Sequence, residues 1–175
     1  EVLPDTRREL APLADARAIT DEEAGSTGAT DGVSRLLMTT GEVLGNASVR
    51  GTSSFVTSQP MPVIDEPILR FDYRFVSEEF DENVGLVHDD SFLVVAHGRA
   101  GVAFEEVTSV NRVGTENSYD ASFPGLVGAE ASEWRTHTLT DFNTLGPDAT
   151  ISLFITDVGS TVRTSAVSVD HLRVE

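Results

Sequence analysis

The chain has no cysteine and no lysine. Without cysteine there is no disulfide framework, no thiolate zinc site and no cysteine nucleophile, and the redox compartment cannot be read. Without lysine all 12 basic residues are arginine, set against 29 acidic ones for a formal net charge of −17. Such a surface repels phosphate backbones and anionic headgroups, which removes nucleic acid from the expected partners. Also missing is any apolar run near the roughly 18 residues of a membrane span, so direct membrane insertion is not expected. No basic start followed by an apolar core stands at Glu1, and an exported form would have shed its signal already. The lack of lysine also fits a halophilic or GC-rich source, which bears on habitat and not on chemistry.

What is present suffices for one domain: 175 residues, 39% of them hydrophobic, bury a sizeable core but are too few for two comfortable domains. Residues 1–32 read as an N-terminal extension or loop segment. An extended or weakly helical patch from Leu10 to Ile19 is followed by Gly, Ser, Thr and Asp that offer little to bury. Residues 33–175 change character. Eight runs rich in Val, Ile, Phe and Thr follow one another, SRLLMTT, SVRGTSSFVTS, PILRFDYRFV, SFLVVAHG, VAFEEVTSV, EWRTHTLTDF, ATISLFITDV and SAVSVDHLRV, with turn residues between them. This pattern predicts an all-β fold, an antiparallel β-sandwich of jelly-roll type. Leu69, Phe71, Tyr73 and Phe75 alternate with Arg70, Asp72 and Arg74, as do Ile151, Leu153 and Ile155 with Ser152, Phe154 and Thr156, the period of half-buried strands.

Between two of these strands, Glu78 to Asp90 carries Glu78, Glu79, Asp81, Glu82, Asp89 and Asp90 with no arginine. A solvated surface loop would look like this. So would a cation site, because carboxylates gathered by folding repel one another until a hard divalent ion turns that cost into attraction. Calcium takes six to eight oxygen ligands, and Glu78, Glu79, Asp81, Asn83, Asp89 and Asp90 offer enough of them. The spacing is not that of an EF-hand, so a sandwich would draw further ligands from a distant loop. Asp157, ending one strand, and Asp170, flanked by Val167, Val169 and Leu172, are the candidates. Asp170 in such surroundings needs an arginine, backbone amides or a metal.

The stretch FDYRFVSEEFDENVGLVHDDSF resembles the F-x-F-x-F-x-[ST]-x-E-[FY]-x-E…[ND]-D-x-F motif of extracellular bacterial domains of the choice-of-anchor and PEP-CTERM-associated families. ISLFITDVGSTVRTSAVSVDHLRV is similar to the closing S-D-V-G-D…D-S-A-[VL]-[LI]-I-D-N-V of the same families. The resemblance spans roughly residues 33–175 and implies a secreted or cell-surface jelly-roll module found beside surface anchors and in adhesins, with calcium as a structural ion. It places Glu79, Asp90, Asp157 and Asp170 at acidic motif positions. Ser160, Thr164 and His171 depart from the motif, leaving fewer oxygen ligands at that end.

Catalysis finds little footing. His88, His97, His137 and His171 are scattered over separate elements, and Ser77 and Ser91 lack a nucleophile elbow. Glu78 and Glu79 are adjacent, so in a strand they point to opposite faces and cannot flank one glycosidic bond. The only tryptophan, Trp134, follows a Gly/Ser-rich stretch, NSYDASFPGLVGAEASEW, that reads as a long loop. It is expected to start a strand and fill the core. The expected function is a non-catalytic, calcium-stabilised extracellular module binding a carbohydrate or a surface protein. A polysaccharide-acting hydrolase or lyase, or a structural tile of a surface protein, are the alternatives.

Overall fold

The computed structural model describes residues 16–20, 30, 32, 34–41, 54–58, 60, 67–80, 84–86, 89–114, 117–121, 123, 125–146, 148–158 and 163–175. Its strands are β1 (Ala16–Thr20), β2 (Ser34–Thr39), β3 (Ser54–Thr57), β4 (Leu69–Ser77), β5 (Ser91–Gly98), β6 (Gly101–Ser109), β7 (Ser118–Asp120), β8 (Glu130–Ser132), β9 (Arg135–Leu139), β10 (Thr150–Thr156) and β11 (Ser165–Val174). Among the described residues helix is found in a single turn, α1 (Val110–Val113), in a 3-10 segment, Thr140–Leu145, and at Phe80. All pairings are antiparallel. A seven-stranded sheet runs β1-β2-β11-β4-β8-β7, with β9 also on β4, and a four-stranded sheet runs β3-β10-β5-β6. This is the antiparallel β-sandwich that the eight runs predict.

The alternation seen in the sequence decides what lies between the sheets. Leu69, Phe71, Tyr73 and Phe75 of β4 and Met38, Val167 and Val169 beside them meet Phe92, Val94, Ile151, Leu153 and Ile155 of the other sheet in one buried cluster. Phe92 packs edge-on to Phe71 with ring centroids 6.0 Å apart. Each such side chain contributes on the order of 1.5–3 kcal/mol by leaving water, and the aromatic pair adds a directional preference.

A second buried cluster lies on the outward side of the seven-stranded sheet. Ile19, Leu37, Val76, Ala131 and Ala166 sit beneath Phe123, Leu126 and Ala129 of the 121–129 connection. That connection is anchored by Ala121 N–H to Ala129 O and Leu126 N–H to Phe123 O.

Three features depart from the sequence reading. Ala16–Thr20, inside the segment expected as an extension or loop, is an edge strand paired residue for residue with Ser34–Met38. The stretch expected as one long loop contains β7 and β8, which pair with each other. Trp134 does not enter the core. It occupies the break between β8 and β9, half-buried, with the Arg35 guanidinium 5.9 Å from its ring centroid. The break exists because β8 and β9 share one edge of β4, and Ser132 Oγ fills the gap by accepting the Phe75 N–H at 3.1 Å.

Candidate functional site: an acidic end and an open sheet face

The connections 78–90 (β4 to β5) and 157–164 (β10 to β11) leave the sandwich at the same end, because β4 and β10 finish where β5 and β11 begin. The pairs Ser165 with Ser77 and Thr156 with Ser91 fix this. The two motif-bearing stretches are thus brought together. Glu78 is buried and its carboxylate is divided between two loops: Oε1 accepts the Val127 N–H at 2.8 Å and Oε2 the Thr164 N–H at 2.9 Å. Two backbone amides meet this charge. Asp90, fully buried, accepts the Val158 N–H on Oδ1 at 2.9 Å. Asp157 follows Thr156, one step beyond its pairing with Ser91, so it lies across from Asp90. Glu79 is also fully buried, and its N–H donates to Ser77 Oγ at 3.0 Å.

Asp89 is half-buried and accepts the Asn111 N–H at 2.8 Å. Asp81, Glu82, Asn83 and His88 lie outside the described residues. Asp170 does not join this end. It lies five residues along β11 from Ser165, roughly 17 Å at strand rise, and the alternation turns it away from Val167 and Val169 to the outward face. There it accepts backbone N–H groups from Thr30 and His171, and Thr30 Oγ1 also reaches Asp72 at 2.8 Å. Burial raises the Asp72 pKa, but hydrogen bonds from Thr136 and Thr30 and the charges of His171 and Arg173 outweigh it and hold the carboxyl below its usual range. Among the described residues no three His, Asp or Glu side chains close into a group able to hold a metal ion.

The histidines and serines sort as follows. Ser77 Oγ and Ser165 Oγ bond to each other at 2.8 Å, and Ser91 Oγ donates to Asp89 O. His137 lies against Phe71 with centroids 5.2 Å apart, its Nε2 3.6 Å from Glu105 Oε2. Burial lowers its pKa, Glu105 pulls it back up, and Arg112 adds to the lowering.

The feature the sequence reading passed over is the outward face of the four-stranded sheet. Register places Phe55, Phe154, Leu93 and Glu106 in one row and Thr57, Ser152, Val95 and Phe104 in the next, with Thr150, His97 and Val102 beyond. Their neighbours Val56, Leu153, Val94 and Ile155 point into the core, so these side chains point out. Phe55 and Phe154 stack at 5.4 Å with planes 21° apart, while Phe104 is 65% and Val102 61% exposed. An antiparallel sheet with one solvated face ordinarily turns polar residues to water; here six of these eleven are apolar, three of them phenylalanine. The signal was legible in FLVVA and in Phe154, where both strand faces are apolar.

No protein-family model matches the chain, and no curated protein matches it significantly. Among solved structures it is similar to a carbohydrate-binding module of the β-sandwich superfamily described for promiscuous specificity, at 12% identity and a TM-score of 0.52, over 98% of this chain and 56% of that one. It is also similar to the K2 cleaved adhesin domain of Lys-gingipain, at 10% identity and a TM-score of 0.50, over 91% of this chain and 81% of that one. The chain therefore spans a little over half the length of the first. At these identities the likeness is one of fold alone.

Proposed function

We propose that the chain is a non-catalytic, calcium-stabilised extracellular module that binds a glycan, as a carbohydrate-binding or adhesion domain does. The observation that carries this reading is the outward face of the four-stranded sheet, where Phe55, Phe154, Leu93, Val95 and Phe104 form one apolar surface with the hydroxyls of Thr57 and Ser152 among them. Sugar rings present apolar C–H faces and polar rims, and such a surface answers both. The face measures about 14 by 24 Å, roughly 350 Å². A stable protein interface takes about 800 Å² per partner, so the size suits a small or linear ligand better than a second copy of the chain. The shared scaffold with a carbohydrate-binding module and an adhesin domain supports the reading at the level of fold, and the sequence resemblance to bacterial surface domains supports the extracellular placement.

Affinity electrophoresis through polysaccharide-containing gels tests it. Retardation by at least one glycan, lost in Phe154→Ala with the circular dichroism unchanged, is the expected result. Unretarded migration through every glycan removes the proposal.

The calcium reading is carried over from the sequence to the acidic end, where Asp157 lies across from Asp90. Among the described residues the carboxylates there do not by themselves close into a group for the ion, and Glu78, Asp89 and Asp90 each have carboxylate oxygen bonded to a backbone amide. An all-oxygen donor set suits calcium and not zinc. An ion bound only by the folded state stabilises by about 2.7 kcal/mol at a hundred times its Kd, worth several degrees in Tm. Calcium against chelator at fixed ionic strength should show that shift, and Asp90→Ala should abolish it. Coincident melting curves would discard calcium and leave glycan binding to stand on its own test.

A further inference from the structure

We infer that the ligand of the open face is an uncharged glycan held along its chain, a conclusion that rests on the glycan-binding reading above. Every strand arginine, Arg17, Arg35, Arg70, Arg74, Arg135 and Arg173, belongs to the seven-stranded sheet, and β3, β5, β6 and β10 contain none. Among the described residues the charged side chains nearest the open face are Glu106, whose Oε1 is 3.0 Å from Arg112 Nε, and, in the turn after β5, Arg99, whose guanidinium is 3.5 Å from Asp148; Glu105 alternates with Glu106 to the inner side, beside His137. Arg112 is spent on Glu106 twice over, since its NH1 also donates to the Glu106 carbonyl at 2.8 Å.

A uronate or sulfate is recognised by charge-assisted bonds from arginine or lysine. The strands of this face supply no such donor, and the net charge of −17 repels a polyanion before contact. The polar groups that are present are of another kind. Thr57 Oγ1 and Ser152 Oγ share a bond of 2.8 Å in which either is the donor. A hydroxyl pair that can reverse its direction matches sugar hydroxyls, which donate and accept alike.

The mode follows from the spacing. Phe154 and Phe104 are two strands and two residues apart in register, about 12 Å, with Leu93 and Val95 between them. A chain lying across the strands meets both aromatic platforms, whereas a ligand bound by its end meets one.

Affinity electrophoresis and calorimetry at low and high salt decide the matter, using neutral polymers (a β-glucan, a mannan, a xylan, a galactan) and polyanions (polygalacturonate, alginate, a sulfated galactan). The expected result is binding to a neutral polymer that salt leaves unchanged and that exceeds binding of the constituent monosaccharide. Phe104→Ala should weaken it about tenfold, the loss of one aromatic contact of roughly 1.4 kcal/mol. Phe104 is 65% exposed, so this variant should fold even if Phe154→Ala does not. Polyanion binding that Phe104→Ala abolishes would overturn the uncharged class and leave the face as a glycan site. A monosaccharide bound as tightly as its polymer would overturn the mode. Glycan binding that neither substitution touches would overturn the placement, and no binding at all would overturn the functional reading itself.

Discussion

On the seven-stranded sheet the outward side chains Leu37, Val76 and Ala166 lie under Phe123, Leu126 and Ala129, whereas on the four-stranded sheet Leu93, Val95 and Phe154 stay half-exposed and belong to neither buried cluster. Both faces turn apolar groups outward, and among the described residues only the seven-stranded sheet receives a cover. Where there is a cover, charge is handled locally as well: Arg35 lies over Trp134 and bonds Ser168 Oγ, Arg74 lies over Tyr119, and Glu78 ties the covering connection to the start of β11. Where there is none, the strands carry no arginine at all. The contrast teaches that outward apolar surface by itself says nothing about binding. What distinguishes a recognition surface from a second core is whether the fold has already supplied its partner.

The comparison can be broken most decisively at Phe123. If the 121–129 connection is a structural cover, Phe123→Ala should cost about 3 kcal/mol, a fall in Tm on the order of 10 °C. A loss no larger than that of Phe104→Ala would erase the distinction between the faces. Next in size is Glu78→Gln. Its amide nitrogen cannot accept, so either Val127 or Thr164 loses an acceptor, at about 1–3 kcal/mol, and hydrogen exchange at those two amides should accelerate while β5 and β10 stay protected.

A smaller effect is expected where the sheets meet. His137 has its pKa lowered chiefly by burial, so the unfolded chain binds a proton at higher pH than the folded one. The stability contribution is therefore whole above pH 6.5, the ordinary value, and is lost as pH falls below it. The lowered pKa of Asp72 adds a second loss of the same sign below 3.8. Urea melts across this range should slope accordingly, and His137→Gln should flatten the upper part. The smallest effect is Phe104→Ala on stability, within about 0.5 kcal/mol, which sharpens the comparison because the same substitution is expected to cost binding.

Much of the sandwich was legible because β10 alternates throughout and β4 does so from Leu69 to Phe75, where the buried residues are those the period selects; at Val76 and Ser77 both faces of β4 are buried. The short strands were not. β7 and β8 have three residues each and exist by pairing Ser118–Asp120 with Glu130–Ser132, a tertiary event that no local pattern announces. Trp134 was misplaced for a related reason: the interruption at Glu133 and Trp134 comes from two segments sharing the edge of β4, and it takes the indole out of the core. At the acidic end, strand ends and motif order bring the 78–90 and 157–164 connections to one end of the sandwich, with Asp157 across from Asp90. Asp170 was drawn in by its apolar neighbours, which lie on the opposite face of β11. Of the partners the reading allows it, an arginine, backbone amides or a metal, the structure shows backbone amides, with Thr30 and His171 as donors.

The interrupted border of the seven-stranded sheet also governs how the protein resists aggregation. Among the described residues its margins are β1, β7 and β9, of five, three and five residues, and short edges offer an incoming strand few groups to pair with. The nine-residue β6 is the long margin of the other sheet, and it carries Val102 and Phe104 with most of their surface in water. Its protection comes from the bulge at Val107, where the pairing shifts between Phe92 and Leu93, and from the adjacent charges of Glu105 and Glu106. Neutralising those two glutamates would make β6 the place where fibril growth begins.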